Sequence, residues 1–457
     1  MPSENRRSDD RRSDDRRSDD MPADPDPVVI VGMAVEAPGD VDSADSFWDL
    51  LSGKREALGP FPTDRGWSVA DLLEGSRRDS FKPIHDLGGF LTGAASFDPA
   101  FFGISPREAV AMDPQQRVAL RLAWRTLENS GINPDDVAGH DIGCYIGASA
   151  LEYGPPLSQY SHHSGHLITG TSLGVISGRI AYTLDLAGPA LTVDTSCSSA
   201  LAALHTAVGA VRGGDCDMAL TGGVCVMGSP GYFVEFSKQH ALSDDGHCRP
   251  YSAAASGTVW AEGAGMFLLQ RRSAALRDGR PILAEVRATA VNSDGRTVGL
   301  TAPSGAAQQR LFARAIARAG VRPEDVGMIE GHGTATRLGD RTELRALART
   351  YGATAPGAGP LLGSVKSNVG HTQAAAGALG LAKVILAAQH GAIPASLHTD
   401  TASREIDWAA QGLRLATELT EWPAVGGERF GAVSAFGMSG TNTHAVVAIP
   451  DTVGRAA

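Results

Sequence analysis

Leu191-Thr192-Val193-Asp194-Thr195-Ser196-Cys197-Ser198-Ser199-Ala200-Leu201-Ala202-Ala203-Leu204-His205 carries the clearest structural signal in the chain. Its β-type lead-in predicts a strand, its small hydroxyl residues a tight turn, and its Ala-rich run a helix. Strand, turn and helix in that order are a unit of α/β layering. The turn puts the Cys197 thiol at the helix N-terminus, where unpaired N–H groups and the positive end of the macrodipole lie. That setting lowers a thiol pKa, and the same N–H groups suit an acyl-transfer oxyanion. A Cys beside an Ala-rich helix is more commonly a buried small apolar residue, so the rest of the chain must supply its partners.

On either side of this segment, apolar strands and helices alternate. Val28-Val29-Ile30-Val31-Gly32-Met33 opens the ordered chain as a strand covered on both faces. Helices are predicted over 46–51, 106–130, 199–212, 307–319, 342–350 and 373–389. Strands are predicted over 142–146, 218–226, 266–269, 282–291, 326–329, 430–435 and 444–449. The organisation expected is a charged tail and linker over 1–27, two α/β halves over 28–275 and 276–449, and a short tail over 450–457. Residues 6–20 repeat Arg-Arg-Ser-Asp-Asp without an apolar residue, a composition that buries nothing and predicts disorder.

The 457 residues are ample for a large core, and abundant glycine (55) with 6% aromatics suits close-packed elements and sharp turns. A net charge of −11 argues against nucleic acid as the main partner. Five Cys without a CxxC support neither a disulfide framework nor a zinc site, which points to a reduced, cytoplasmic setting. No apolar run reaches the roughly 18 residues of a membrane span, and the charged N-terminus lacks the apolar core of a signal peptide.

Three further polar stretches punctuate the chain: Glu330-Gly331-His332-Gly333-Thr334-Ala335-Thr336, Gly363-Ser364-Val365-Lys366-Ser367-Asn368-Val369-Gly370-His371, and Phe436-Gly437-Met438-Ser439-Gly440-Thr441-Asn442-Thr443-His444. Each reads as a loop carrying His, Lys or Asn between apolar elements, where function concentrates. Together with Cys197 they form a candidate thiol, imidazole and ammonium constellation.

These stretches resemble the β-ketoacyl synthases, specifically the ketosynthase domains of modular type I polyketide synthases. Pro60-Phe61-Pro62-Thr63-Asp64-Arg65-Gly66-Trp67, Phe101-Phe102-Gly103-Ile104-Ser105-Pro106, Met112-Asp113-Pro114-Gln115-Gln116-Arg117 and Gly299-Leu300-Thr301-Ala302-Pro303 extend the resemblance from Val28 to Ile449. It implies an α/β thiolase fold with duplicated βαβαβαββ halves in five layers, and a homodimer. It implies that Cys197 takes an acyl chain from the 4'-phosphopantetheine arm of an acyl carrier protein. His332 and His371 would stabilise the enolate left when a malonyl-type unit loses its carboxylate. The oxyanion hole would be the backbone N–H groups of Cys197 and Met438. Lys366 would orient His371 through Glu or Asp groups, and Thr334, Thr336 and Asn442 would contact substrate. No metal and no bound cofactor are implied.

The chain departs from the family pattern at several positions. Ala335 stands where a Gly is usual, Gly331 where Ala is usual, Arg341 for a Pro, Ser256 for an Asp and Ala261 for a Gly. No catalytic group is lost. Ala335 needs a backbone angle compatible with a Cβ. The chain stops at Ala457 without an acyltransferase or carrier segment, which predicts a discrete ketosynthase working in trans with carrier proteins, a separate acyltransferase and a modular synthase. Acidic carriers predict a local basic docking patch. Chain transfer without condensation and a non-catalytic partner subunit are the competing expectations.

Overall fold

Nine consecutive buried residues form the first strand, Val28–Glu36, because an unbroken apolar run needs cover on both faces. In this computed structural model, which describes residues 24–78, 81–161, 165–352 and 359–451, that strand lies near the middle of an 11-stranded sheet. The Arg-Arg-Ser-Asp-Asp repeats and nearly all of the C-terminal tail lie outside the described residues.

The strands Val28–Glu36, Ile142–Gly147, Ala190–Val193, Met218–Cys225 and Gly263–Arg271 lie side by side in the order third, second, fourth, fifth, first. The second is parallel to the third and fourth, while the fourth and fifth and the fifth and first are antiparallel. The strands Ala284–Ser293, Val326–Glu330, Leu361–Gly363, Glu428–Phe436 and Thr441–Pro450 repeat the same order with the same directions. The halves join where Val29 and Ile30 pair with Glu285 and Ala284.

Between the two halves sit two apolar helices, Ser199–Gly213 and Ala376–Gln389. Each follows the third strand of its own half. The second is buried on nearly every residue, as a helix with no polar face must be. Their side chains share one core with both sets of strands. Pro114–Asn129 and Val175–Thr183 cover the outer face of the first half, and Gly305–Ala319 and Arg337–Ala348 that of the second. The result is a helix–sheet–helix–sheet–helix stack, which places the turns after both third strands at the same interface.

Two predicted elements differ. The helix expected over 106–130 is two helices, Pro106–Ala111 and Pro114–Asn129. Pro114 has no N–H and cannot continue the first helix, so Asp113 caps the second by accepting the Gln115 N–H at 2.8 Å. The helix expected over 342–350 begins earlier, at Arg337. Val69–Arg78, Val175–Thr183 and Gly231–Lys238 are helices that the apolar pattern does not single out.

Candidate active site

Hydroxyl groups shape the turn that presents Cys197. Ser196 adopts φ +58, in the left-handed region. It is held there by the Asp194 carboxylate, which accepts its N–H at 2.9 Å, and by its own carbonyl, which accepts the Ser199 N–H at 3.0 Å. The Ser199 hydroxyl accepts the Thr195 N–H at 2.9 Å, and Thr195 and Ser198 share a hydroxyl contact at 2.8 Å. These short side chains replace backbone partners that a sharp strand-to-helix turn lacks. Cys197 therefore sits just before the helix Ser199–Gly213.

The expectation of a lowered Cys197 pKa is corrected. Burial pushes the thiol up to about 11, and this outweighs Lys366 and the N–H groups of Cys197 and Met438, all of which favour the thiolate. Cys197 rests as a thiol with its thiolate stabilisers in place. The Met438 N–H can reach the sulfur because Gly437 has no side chain: a Cβ there would lie 2.0 Å from the Thr195 carbonyl oxygen.

The two imidazoles are fixed by backbone donors. The Phe436 N–H points at His332 Nδ1 (3.3 Å) and the Gln373 N–H at His371 Nδ1 (3.2 Å). A neutral ring whose Nδ1 accepts carries its proton on Nε2. Burial first, and then the Lys366 charge, hold both rings well below the ordinary histidine range, so they stay neutral. Their centroids are 5.6 Å apart with planes at 86°. Glu343 holds the His332 loop, accepting the His332 N–H at 2.8 Å and the Gly333 N–H at 2.9 Å. His371 is stitched to the Val259–Ala261 segment on both sides, its N–H to Val259 and its carbonyl to the Ala261 N–H.

Cys197, His332, His371, Thr334, Thr336 and Met438 line one cavity of about 600 Å³, with Trp260 and Phe436 on its apolar wall. Lys366 does not line it. It is buried behind the imidazoles on the short helix Lys366–Val369, and burial lowers its pKa against the pull of Glu330. Asn442 is corrected as a substrate contact. It is fully buried in the strand Thr441–Pro450, does not line the cavity, and donates to Asp294 Oδ1 at 2.8 Å. His444 lies in the same strand, bonded to Tyr351 and Ser434. Pairing with Ala284–Ser293 takes Asn442 and His444 into the sheet, while Phe436 and Met438 of the same stretch reach the cavity.

Ala335 takes φ +60, a left-handed angle that strains a residue with a Cβ. Its methyl is fully buried in a small cluster with Cys248, Ala255 and Val259. Sequence reasoning missed Glu343, Tyr251 and the buried ion pair between Lys383 and Glu330 at 2.8 Å. The available signal was the spacing of Asp340 and Glu343, which puts two acids on one face of the helix Arg337–Ala348.

Comparison with known proteins identifies the family and the fold. The family described as "Beta-ketoacyl synthase, N-terminal domain" matches residues 25–275, and "Beta-ketoacyl synthase, C-terminal domain" matches residues 283–400. The chain is 50% identical over 424 residues to polyketide synthase GfsB of Streptomyces halstedii and, over the same length, to erythronolide synthase EryA3 of Saccharopolyspora erythraea. Each match covers 92% of this chain but only 8% and 13% of those relatives. A solved ketosynthase, from module 6 of the bacillaene synthase of Bacillus subtilis 168, superimposes with a TM-score of 0.84 at 36% identity, covering 93% of this chain and 72% of that one. The fold is the thiolase fold, and the chain belongs to the β-ketoacyl synthase family as a ketosynthase of polyketide synthase type.

Proposed function

We propose that the chain catalyses decarboxylative condensation between an acyl group held on Cys197 and a malonyl-type unit on an acyl carrier protein. The observation that carries this is the joint presence, on one cavity, of a thiol and two neutral imidazoles whose Nδ1 atoms are already taken by backbone donors. Simple acyl transfer needs the thiol alone.

In the first half-reaction the Cys197 sulfur attacks the acyl thioester carbonyl. The oxyanion is met by the Cys197 and Met438 N–H groups. The pantetheine thiolate leaves and takes up the proton that Cys197 gave up. In the second, the malonyl-type unit loses its carboxylate as carbon dioxide, and the electron pair moves onto the thioester oxygen as an enolate. The Nε2–H groups of His332 and His371 donate to that oxygen. The enolate carbon then attacks the acyl-Cys197 carbonyl. Collapse of the tetrahedral intermediate breaks the C–S bond and expels the Cys197 thiolate, which takes a proton from water, leaving a β-ketoacyl chain on the carrier.

The carrier's arm enters past Thr334 and Thr336, with the exposed Arg337 beside them at the cavity. That guanidinium suits a phosphate or an acidic carrier surface. The chain acts as a homodimer: the strand Ala190–Val193 is an edge of the sheet with Ala190 and Leu191 exposed, and Tyr160, Leu157, Ile168 and Tyr182 are exposed as well. An edge strand and large exposed apolar groups of this kind need cover. Among the described residues no helix is long and apolar enough to cross a membrane.

The test supplies acyl and malonyl carrier proteins together. A β-ketoacyl product with carbon dioxide release is expected. Acyl transfer without either sinks condensation, and a Cys197 that no thioester acylates points to a non-catalytic subunit.

A further inference from the structure

Beneath the loop that carries His332 lies Tyr251, fully buried and 80 residues away in sequence. Two glycines make room for it. A Cβ on Gly331 would stand 1.9 Å from the Tyr251 hydroxyl oxygen, and one on Gly333 would stand 2.9 Å from both that oxygen and the ring. Neither space is open: the tyrosine fills what the two side chains leave out. Its hydroxyl donates to Glu343 Oε2 at 2.8 Å, and its own N–H donates to Asp340 Oδ2 at 2.7 Å.

Glu343 thus collects three donors: the Tyr251 hydroxyl, the His332 N–H and the Gly333 N–H. The carboxylate is the only side chain among the described residues shown bonding the His332 amide, and the tyrosine is the only side chain shown bonding that carboxylate. A buried acceptor that loses one donor shifts toward those that remain. Here that shift would carry the His332 backbone with it, and with it the Nε2–H that faces the cavity.

We infer that Tyr251 is a positioning residue for His332: its ring occupies the notch left by Gly331 and Gly333, and its hydroxyl fixes the Glu343 carboxylate that holds the His332 amide. This rests on the proposed role of His332 in decarboxylation. Tyr251 therefore serves the second half-reaction and not the first, because Cys197 and Met438 belong to other loops. A methyl at position 331 and the Tyr251 hydroxyl compete for one space, so the glycine tolerates change better when that hydroxyl is absent.

The test measures both half-reactions on the full chain, using acyl-carrier protein for Cys197 acylation and malonyl-carrier protein for carbon dioxide release. Tyr251→Phe is expected to lower carbon dioxide release about tenfold while Cys197 acylates at the wild-type rate, a split that a general loss of folding does not produce. Gly331→Ala alone is expected to lower the melting temperature, and Gly331→Ala with Tyr251→Phe to recover part of it, since the 1.9 Å clash with the hydroxyl is removed while the ring carbon stays 2.9 Å from the new methyl. An active wild type whose Tyr251→Phe variant releases carbon dioxide normally, or loses both half-reactions equally, overturns the inference alone. So does a Gly331→Ala variant as stable as wild type. A wild type that acylates but never releases carbon dioxide overturns the functional proposal, and this inference with it.

Discussion

His332 and His371 face each other nearly edge to face, with ring centroids 5.6 Å apart and planes at 86°. Each has its Nδ1 occupied by a backbone N–H, so each offers one Nε2–H. Burial and Lys366 depress both pKa values well below 6.5. A group with a lowered pKa stays neutral until the pH falls to that lower value. Carbon dioxide release from malonyl-carrier protein should therefore stay flat as pH falls through 6.5, with enzyme stability monitored in parallel. A loss centred near 6.5 would contradict neutral donors. His332→Ala and His371→Ala should each slow release about 10²–10³-fold and leave Cys197 acylation nearly intact.

Cys197 should alkylate slowly. With its thiol raised to about 11, the rate with iodoacetamide should climb about tenfold per pH unit between about pH 7 and 10, without levelling near 9. Lys366 pulls that pKa down, so Lys366→Met should slow alkylation further at every pH. Faster alkylation in the variant would show that Lys366 does not act on the thiol.

Gly437→Ala tests the proposed oxyanion hole without replacing a side chain that reacts. The new methyl would press on the Thr195 carbonyl oxygen at 2.0 Å, and the loop must move. The expected cost is about 1–3 kcal/mol of stability, read by denaturant unfolding. Cys197 acylation should fall about a hundredfold, as the Met438 N–H withdraws from the sulfur.

Asp340 gives a stability signature. Burial raises its carboxyl from 3.8 to about 8. A raised pKa means that the stability contributed by the neutral form is complete below 3.8 and lost as pH rises through about 8. Asp340→Asn keeps an acceptor for the Tyr251 N–H and cannot ionise. Its melting temperature should match wild type near pH 4, exceed it increasingly as pH rises, and hold a constant lead above about pH 8. Parallel curves across that range would refute the raised pKa.

The order of strands and helices around Cys197 was legible because short apolar runs bounded by glycine and hydroxyl turns leave few alternatives. His332 and His371 were legible because the loops that carry them keep their polar residues contiguous. Pro114 was outweighed by the apolar periodicity around it, although a missing N–H decides locally where a helix must restart. Asn442 looked like a loop amide, yet pairing of its strand with Ala284–Ser293 turns it toward Asp294. Tyr251, Glu343 and the left-handed angle of Ala335 were not legible. Their roles come from contacts 80 to 92 residues apart or from a backbone angle that composition does not reveal.

Intact-protein mass spectrometry of a single turnover tests condensation most directly. Cys197 is first loaded from an acyl-carrier protein, excess carrier is removed, and malonyl-carrier protein is added while carbon dioxide is followed. The acyl mass should leave Cys197 in step with carbon dioxide and reappear on the carrier as a β-ketoacyl chain. In His332→Ala the acyl mass should load and stay. Departure of the acyl group from Cys197 to the carrier with no carbon dioxide released would contradict a condensing enzyme.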